Sequence, residues 1–241
     1  MRVGFVISFL AVLAFASCED KKKPTVDANL PTKELTQDSS ISEEIKKPKD
    51  TVKAPTYPVL SNENVVEFLT QYGKENPETK VLVSTQHGDI FIELYKDTPI
   101  HRANFIYLVK QKYFDGTFFH RVVPNFIIQG GNSDNVTTPR KRNKIGKKYL
   151  LPAELNNGRI HKYGTVSGAK EYRENPDKRT APYEFFIFLG PKSSTGHLNG
   201  NYTIFGRVTQ GMDIVEKIAN LEADSGDWPL QNVYITAEVI E

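Results

Sequence analysis

With 241 residues, 39% of them apolar and 11% aromatic, the chain can build one ordinary domain with a full core and some appended sequence. Its 31 Lys and Arg against 29 Asp and Glu leave a net charge of +2, too small to bias it strongly toward nucleic acid. The single cysteine, Cys18, excludes an internal disulfide and any metal site built from several thiolates.

Arg2 precedes a mostly apolar stretch from Val3 to Ala16. At about 14 residues this is shorter than the roughly 20 that a bilayer span needs, and it fits the apolar region of a secretory signal. Ala16-Ser17-Cys18 follows and resembles a bacterial lipobox, with Phe15 where leucine is commonest. The resemblance implies a signal over residues 1–17 and a mature chain that begins at a lipidated Cys18. A plain signal peptide with an incidental cysteine is the alternative. Residues 18–58 are rich in Lys, Glu, Asp, Ser, Thr and Pro without apolar periodicity, so they bury too little apolar surface to offset the entropy of ordering. They read as a tether of about 40 residues, spanning roughly 35 Å as a flexible coil.

Residues 59–79 read as a helical extension. Val65, Phe68, Leu69 and Tyr72 share one face of a helix over Asn62 to Tyr72, and Gly73 stops it. The main domain is expected over residues 80–241. Asp89 to Tyr95 alternates, with Ile90, Ile92 and Leu94 on one side, as a half-buried strand does. Thr98-Pro99 signals a helix start, and Phe105, Leu108 and Val109 continue a helical stripe toward Asp115-Gly116. Short strand-like runs follow, divided by turn signals at Pro124-Asn125, Asn157-Gly158 and Asn199-Gly200. A second helix runs from Gly211 to Ala219, and Val233, Ile235, Ala237 and Val239 alternate as a last strand. Many short strands with two separated helices predict a closed antiparallel barrel or a sandwich, and the pattern alone leaves both open.

Phe119 to Gly131, FHRVVPNFIIQGG, sets an arginine and a glutamine into a largely apolar run. An arginine is costly to bury unless it is paired or used. The stretch resembles the central motif of the cyclophilins, a family of peptidyl-prolyl cis/trans isomerases. The resemblance covers about Lys80 to Glu241 and implies a closed eight-stranded antiparallel barrel capped by a helix at each end.

Rotation about an X-Pro bond breaks amide resonance against a barrier of about 18 to 20 kcal/mol. The catalyst needs no nucleophile, metal or cofactor; it needs an apolar socket for the ring and a donor aimed at the twisted amide. Arginine suits the second task, being always charged with donors in a fixed fork. Arg121 is therefore the expected catalytic residue. By resemblance, Phe126, Phe186 and Leu198 line the socket, while Gln129 orients the arginine and the substrate backbone. Gly164 to Ala169 resembles the family's next strand, placing Ala169 against the residue before proline. Leu198 to Gly206 resembles the following loop and strand, which adds Tyr202 to the expected substrate-binding set. Arg121 and Gln129 are an even number of residues apart and Phe126 is not, so one strand face cannot hold all three without a bend or bulge near Pro124-Asn125 or before Gly130-Gly131.

Three departures stand out: Glu184 for a glutamine, Lys170 for an asparagine and His197 where many members carry tryptophan. Glu184, expected at the substrate site beside Arg121, would either fix the guanidinium or draw it away. Phe126, Phe186 and Leu198 taken singly also suit ordinary core. His120, next to Arg121 on a strand, is expected on the opposite face as a structural histidine. The five histidines lack paired metal-ligand spacing, so no metal is expected. Arg140, Lys141, Arg142, Lys144, Lys147 and Lys148 form a basic run expected to be a solvated loop, with anionic lipid head groups as a lesser possibility. The combined expectation is a monomeric isomerase without cofactor or nucleic-acid partner. A lipid anchor would hold it to a bacterial membrane, facing the periplasm or the cell surface. It would act on unfolded or loop X-Pro segments of exported proteins; a low-turnover proline-peptide binding module or holdase is the alternative.

Overall fold

The computed structural model describes residues 56–170 and 174–241. The expected signal, Cys18 and nearly all of the tether lie outside the described residues. In chain order the elements are α1 (Val65–Glu75), β1 (Lys80–Thr85), β2 (Gly88–Leu94), α2 (Pro99–Lys110), β3 (Thr117–Val123), β4 (Ile127–Asn132), α3 (Thr137–Ile145), β5 (Thr165–Gly168), β6 (Phe185–Phe188), a 3-10 turn (Lys192–His197), β7 (Ile204–Gln210), α4 (Met212–Ala219) and β8 (Val233–Ile240). Among the described residues eight strands close into an antiparallel barrel in the order β1-β2-β7-β5-β6-β4-β3-β8. Closure leaves no unpaired sheet edge and decides between the two all-β architectures the pattern had left open.

Strand alternation builds the interior. Ile90, Ile92 and Leu94 of β2 and Val233, Ile235 and Ala237 of β8 are buried in the main core, while Glu93 and Tyr234 point outward. Strand β6 is buried at every position. Its Phe185 and Ile187 join the main core, whereas Phe186 and Phe188 join Ile127 and Leu198 in a second apolar cluster. Strand β4 divides in the same way, with Ile128 in the main core and Ile127 in the second cluster. The barrel thus carries an apolar patch on the outer face of β4 and β6, where alternation normally places polar side chains.

Helix α2 was expected to bury one stripe, yet all ten residues from Ile100 to Val109 are buried. The reason is α1, which packs on it and contributes Val65, Leu69 and Tyr72. Tyr57, Phe68, Tyr72 and Tyr107 interlock at this junction, with ring centroids 5.1 to 5.8 Å apart. The polar residues of α2 enter the interior with partners. Arg102 donates to the carbonyls of Gly73 and Asn76 at 2.8 and 2.9 Å, and Asn104 donates to Pro182 O at 2.8 Å. Thr98 makes no side-chain cap; the Glu154 carboxylate instead accepts from the amides of Ile100 and His101 at 3.0 and 2.9 Å. An anion at a helix N-terminus satisfies free amides and complements the dipole.

The basic run departs from the expected solvated loop: Thr137–Ile145 is helix α3. Lys141 Nζ donates to the carbonyls of Lys112, Tyr113 and Asp115 at 2.9, 3.2 and 2.6 Å, just past the end of α2. Arg142 Nε donates to the Tyr113 hydroxyl at 2.9 Å. Two of these cations therefore hold the fold, because carbonyls and a hydroxyl left by distant segments converge on them.

Candidate active site

The motif Phe119 to Gly131 folds as the β3–β4 hairpin. Ladder partners are Phe119 with Gly130 and Arg121 with Gln129, so His120 is the extra residue of a bulge. This bulge precedes Arg121 in the chain, so it leaves the relative facing of Arg121, Phe126 and Gln129 untouched; the bend expected near Pro124-Asn125 is the hairpin turn itself. The hairpin turns through Pro124 to Phe126, with Asn125 at a φ of 58°, so Phe126 belongs to a turn and strand parity does not govern it. Gly131 has a φ of 99°, and a Cβ there would sit 2.1 Å from Tyr183 O, so no other residue fits.

The bulge also corrects the expectation for His120. Instead of facing away from Arg121, it lines the same groove, because the extra residue cancels the alternation at that point. Its Nε2 lies 3.5 Å from Glu184 Oε2, and among the described residues its buried Nδ1 has no hydrogen-bond partner.

The groove has a volume of about 650 Å³. Arg121, Phe126, Gln129, Ala169, Phe186, His197, Leu198 and Tyr202 line it, joined by Lys170, Ile127, Gly226 and Trp228. Its apolar part is the second cluster described above, with Phe126 and Tyr202 packed against it. Phe186 meets Tyr202 edge-on at 5.6 Å, and Phe126 lies 6.1 Å from the exposed His197 ring. Lys170 Nζ stands 4.5 Å above the Tyr202 ring, a cation–π contact.

Glu184 does not line the groove and does not meet Arg121. It lies behind Gln129, accepting from Gln129 Nε2 at 2.9 Å, with Arg142 Nη2 3.5 Å from its other oxygen. Burial pushes the Glu184 carboxyl up, but the His120 hydrogen bond and charge, the Arg142 charge and the Gln129 hydrogen bond outweigh it and hold the group below the usual carboxylate range. The departure from glutamine is thereby accommodated: the carboxylate faces two basic side chains and anchors Gln129. Arg121 pairs instead with Asp227, its Nε donating to Oδ2 at 3.1 Å.

A further support escaped the sequence reading. His161 stacks on Phe186, its ring 5.9 Å away and inclined by 6°. Its Nδ1 is 2.8 Å from Asn199 Oδ1 and its Nε2 is 3.0 Å from Ser167 Oγ. With Nδ1 donating, Nε2 accepts from the serine, which is the neutral tautomer. Burial pushes the His161 pKa down, offset in part by the Asn199 hydrogen bond and reinforced by His197. Asp227 and Trp228 were missed as well, lying far along the chain in a stretch whose only signals are Gly226 and Pro229. Among the described residues no group of three His, Cys, Asp or Glu side chains could hold a metal ion.

An apolar socket beside a permanent cation can hold a prolyl ring and place a donor near its amide, and that arrangement needs no nucleophile. Residues 80–239 match the family described as cyclophilin type peptidyl-prolyl cis-trans isomerase/CLD. The chain is 38% identical over 148 residues to a peptidyl-prolyl cis-trans isomerase of Acinetobacter baylyi, covering 59% of this chain and 73% of the relative. It is 37% identical over 162 residues to an isomerase of Schizosaccharomyces pombe, covering 66% and 97%. A cyclophilin type isomerase of Cryptosporidium parvum, crystallised with the dipeptide Ala-Pro, superposes with a TM-score of 0.56 at 26% identity, covering 67% of this chain and 99% of that one. The chain belongs to the cyclophilins. It is a peptidyl-prolyl cis-trans isomerase, and its substrates are proline-containing peptide segments.

Proposed function

We propose that this isomerase assists the folding of exported proteins at a bacterial cell envelope, acting on unfolded or loop X-Pro segments. In this reading a lipidated Cys18 anchors a monomer on the extracytoplasmic side, facing the periplasm or the surface, and residues 18–58 give the domain reach. The support is the order of signals in the sequence: Arg2, the apolar run to Ala16, a lone cysteine at the cleavage position, then a polar tether. Among the described residues no helix is long and apolar enough to cross a membrane. Within the groove, Arg121 is the donor to the twisted amide, Gln129 sets the substrate backbone, and Phe126, Phe186 and Leu198 hold the ring. His197, Tyr202 and Ala169 contact flanking substrate. The observation that carries these roles is that Arg121 and the outward apolar cluster line one groove.

Two variants of the full chain test the proposal. Arg121→Ala should stay folded and lose about tenfold to a hundredfold in turnover on a proline peptide, since a charge-assisted hydrogen bond is worth about 1.5 to 3 kcal/mol. Unchanged turnover in that folded variant removes Arg121 from the mechanism. Cys18→Ser should move the protein from the membrane fraction to the soluble one. Continued sedimentation at high salt would show that lipid at Cys18 is not the anchor.

A further inference from the structure

The segment from Glu222 to Leu230 closes on itself before β8. Leu230 N donates to Glu222 O at 2.9 Å, Asp224 N to Trp228 O at 2.8 Å and Asp227 N to Asp224 O at 3.1 Å. Asp224 Oδ1 accepts from the amides of Gly226 and Trp228 at 2.7 and 3.0 Å. Within this loop Asp227 takes a φ of 65°, a conformation that aspartate tolerates better than most residues. The loop is joined to β3 where Val122 N, one residue beyond Arg121, donates to Asp227 O at 2.8 Å. Trp228 reaches the groove wall, its ring 5.8 Å from that of His120. The loop backbone thus presets where the Asp227 carboxylate stands.

That carboxylate meets Arg121 through Nε. A bond at Nε fixes the plane of the guanidinium and leaves Nη1 and Nη2, the end of the fork, outside the bond. A carboxylate gripping the terminal nitrogens would compete with substrate for the same donors. We propose that Asp227 is a positioning residue of the isomerase, holding Arg121 so that its terminal nitrogens are presented to the substrate amide. The inference rests on Arg121 being the catalytic donor. Both side chains are partly open to water, 37% and 43% exposed, so solvent weakens the opposing effect of a nearby negative charge on the guanidinium.

Turnover of Asp227→Ala, Asp227→Asn, Arg121→Ala and the Arg121/Asp227 double alanine variant, each in the full chain, tests this. Asp227→Ala should lower kcat about twofold to fivefold with KM nearly unchanged, the range of an exposed ion pair. Asp227→Asn, which keeps an acceptor at the same place, should restore most of the loss. In the Arg121→Ala background, Asp227→Ala should have no further effect, because its action passes through the arginine. Thermal unfolding should not separate Asp227→Asn or Arg121→Ala from the parent, while Asp227→Ala should melt slightly lower because alanine tolerates the φ of 65° less well, so turnover is compared well below the melting range of every variant. An unchanged or raised kcat in Asp227→Ala overturns the inference, as does a loss that persists in full without Arg121. If Arg121→Ala alone leaves turnover intact, the donor assignment fails first and the positioning role falls with it.

Discussion

Glu184→Gln restores the residue type common in the family and tests whether the carboxylate is anchored as the geometry implies. Glu184 accepts from Gln129 and faces His120 and Arg142, with its side chain 21% exposed. An amide oxygen can still accept from Gln129, but the charge is lost. Hydrogen bonds to charged groups contribute about 1.5 to 3 kcal/mol against about 0.5 to 1.5 for neutral ones, so the substitution should cost about 1 to 2 kcal/mol at neutral pH. For a domain of this size that corresponds to a fall in Tm of roughly 2 to 8 °C. The sign with pH follows from the lowered carboxyl: its stabilisation is fully present above the unfolded value of 4.5 and is lost as pH falls from there through the lower folded value. Thermal unfolding of parent and variant across this range should therefore show a gap at neutral pH that closes in acid. A gap independent of pH, or a variant more stable than the parent at neutral pH, would refute the assignment of a charged anchor behind Gln129.

His161 gives a second pH signature. Because burial lowers its pKa, the neutral form favours folding, and stability should begin to fall as pH drops below the ordinary value of 6.5, before the carboxylates respond; His161→Gln should remove that early phase in the same melts. Leu69→Ala, which leaves a cavity between α1 and α2, should cost about 2 to 5 kcal/mol in denaturant unfolding. It should leave turnover at low temperature intact, because no α1 residue lines the groove; a matching loss of turnover in still-folded protein would show that α1 supports the site directly. By the family resemblance, binding of cyclosporin-type macrocycles leans on the tryptophan that many members carry where this chain has His197, so His197→Trp should increase their inhibition more than it changes kcat, since it adds an indole donor worth about 1 kcal/mol and a larger aromatic face. Strong inhibition of the unmodified protein would show that another side chain, Trp228 foremost, already fills that role.

The alternation of Ile90, Ile92 and Leu94, the stripe of α4 and the alternating last strand were legible because each depends on neighbours two to four residues away. Phe119 to Gly131 carried the family likeness, and the parity conflict among Arg121, Phe126 and Gln129 announced a bend, which the chain makes as the turn through Pro124 to Phe126. The bulge at His120 had no such signal: it depends on how β3 pairs with β4, so the face that His120 shares with Arg121 was decided by register between strands. The partner of Glu184 was decided in the same way. β6 pairs Phe186 with Gln129 on β4, which brings Glu184 behind the glutamine and leaves Arg121 to Asp227, 106 residues further along. On its residues alone the run Phe185-Phe186-Ile187-Phe188 reads as plain buried strand; the family likeness pointed to Phe186 as socket, and barrel closure shows that Phe188 shares its outward cluster while Phe185 and Ile187 turn to the main core. Local periodicity is written in the chain because it reflects backbone geometry common to all helices and strands. Pairings between distant segments depend on which surfaces are left to meet once the barrel has closed.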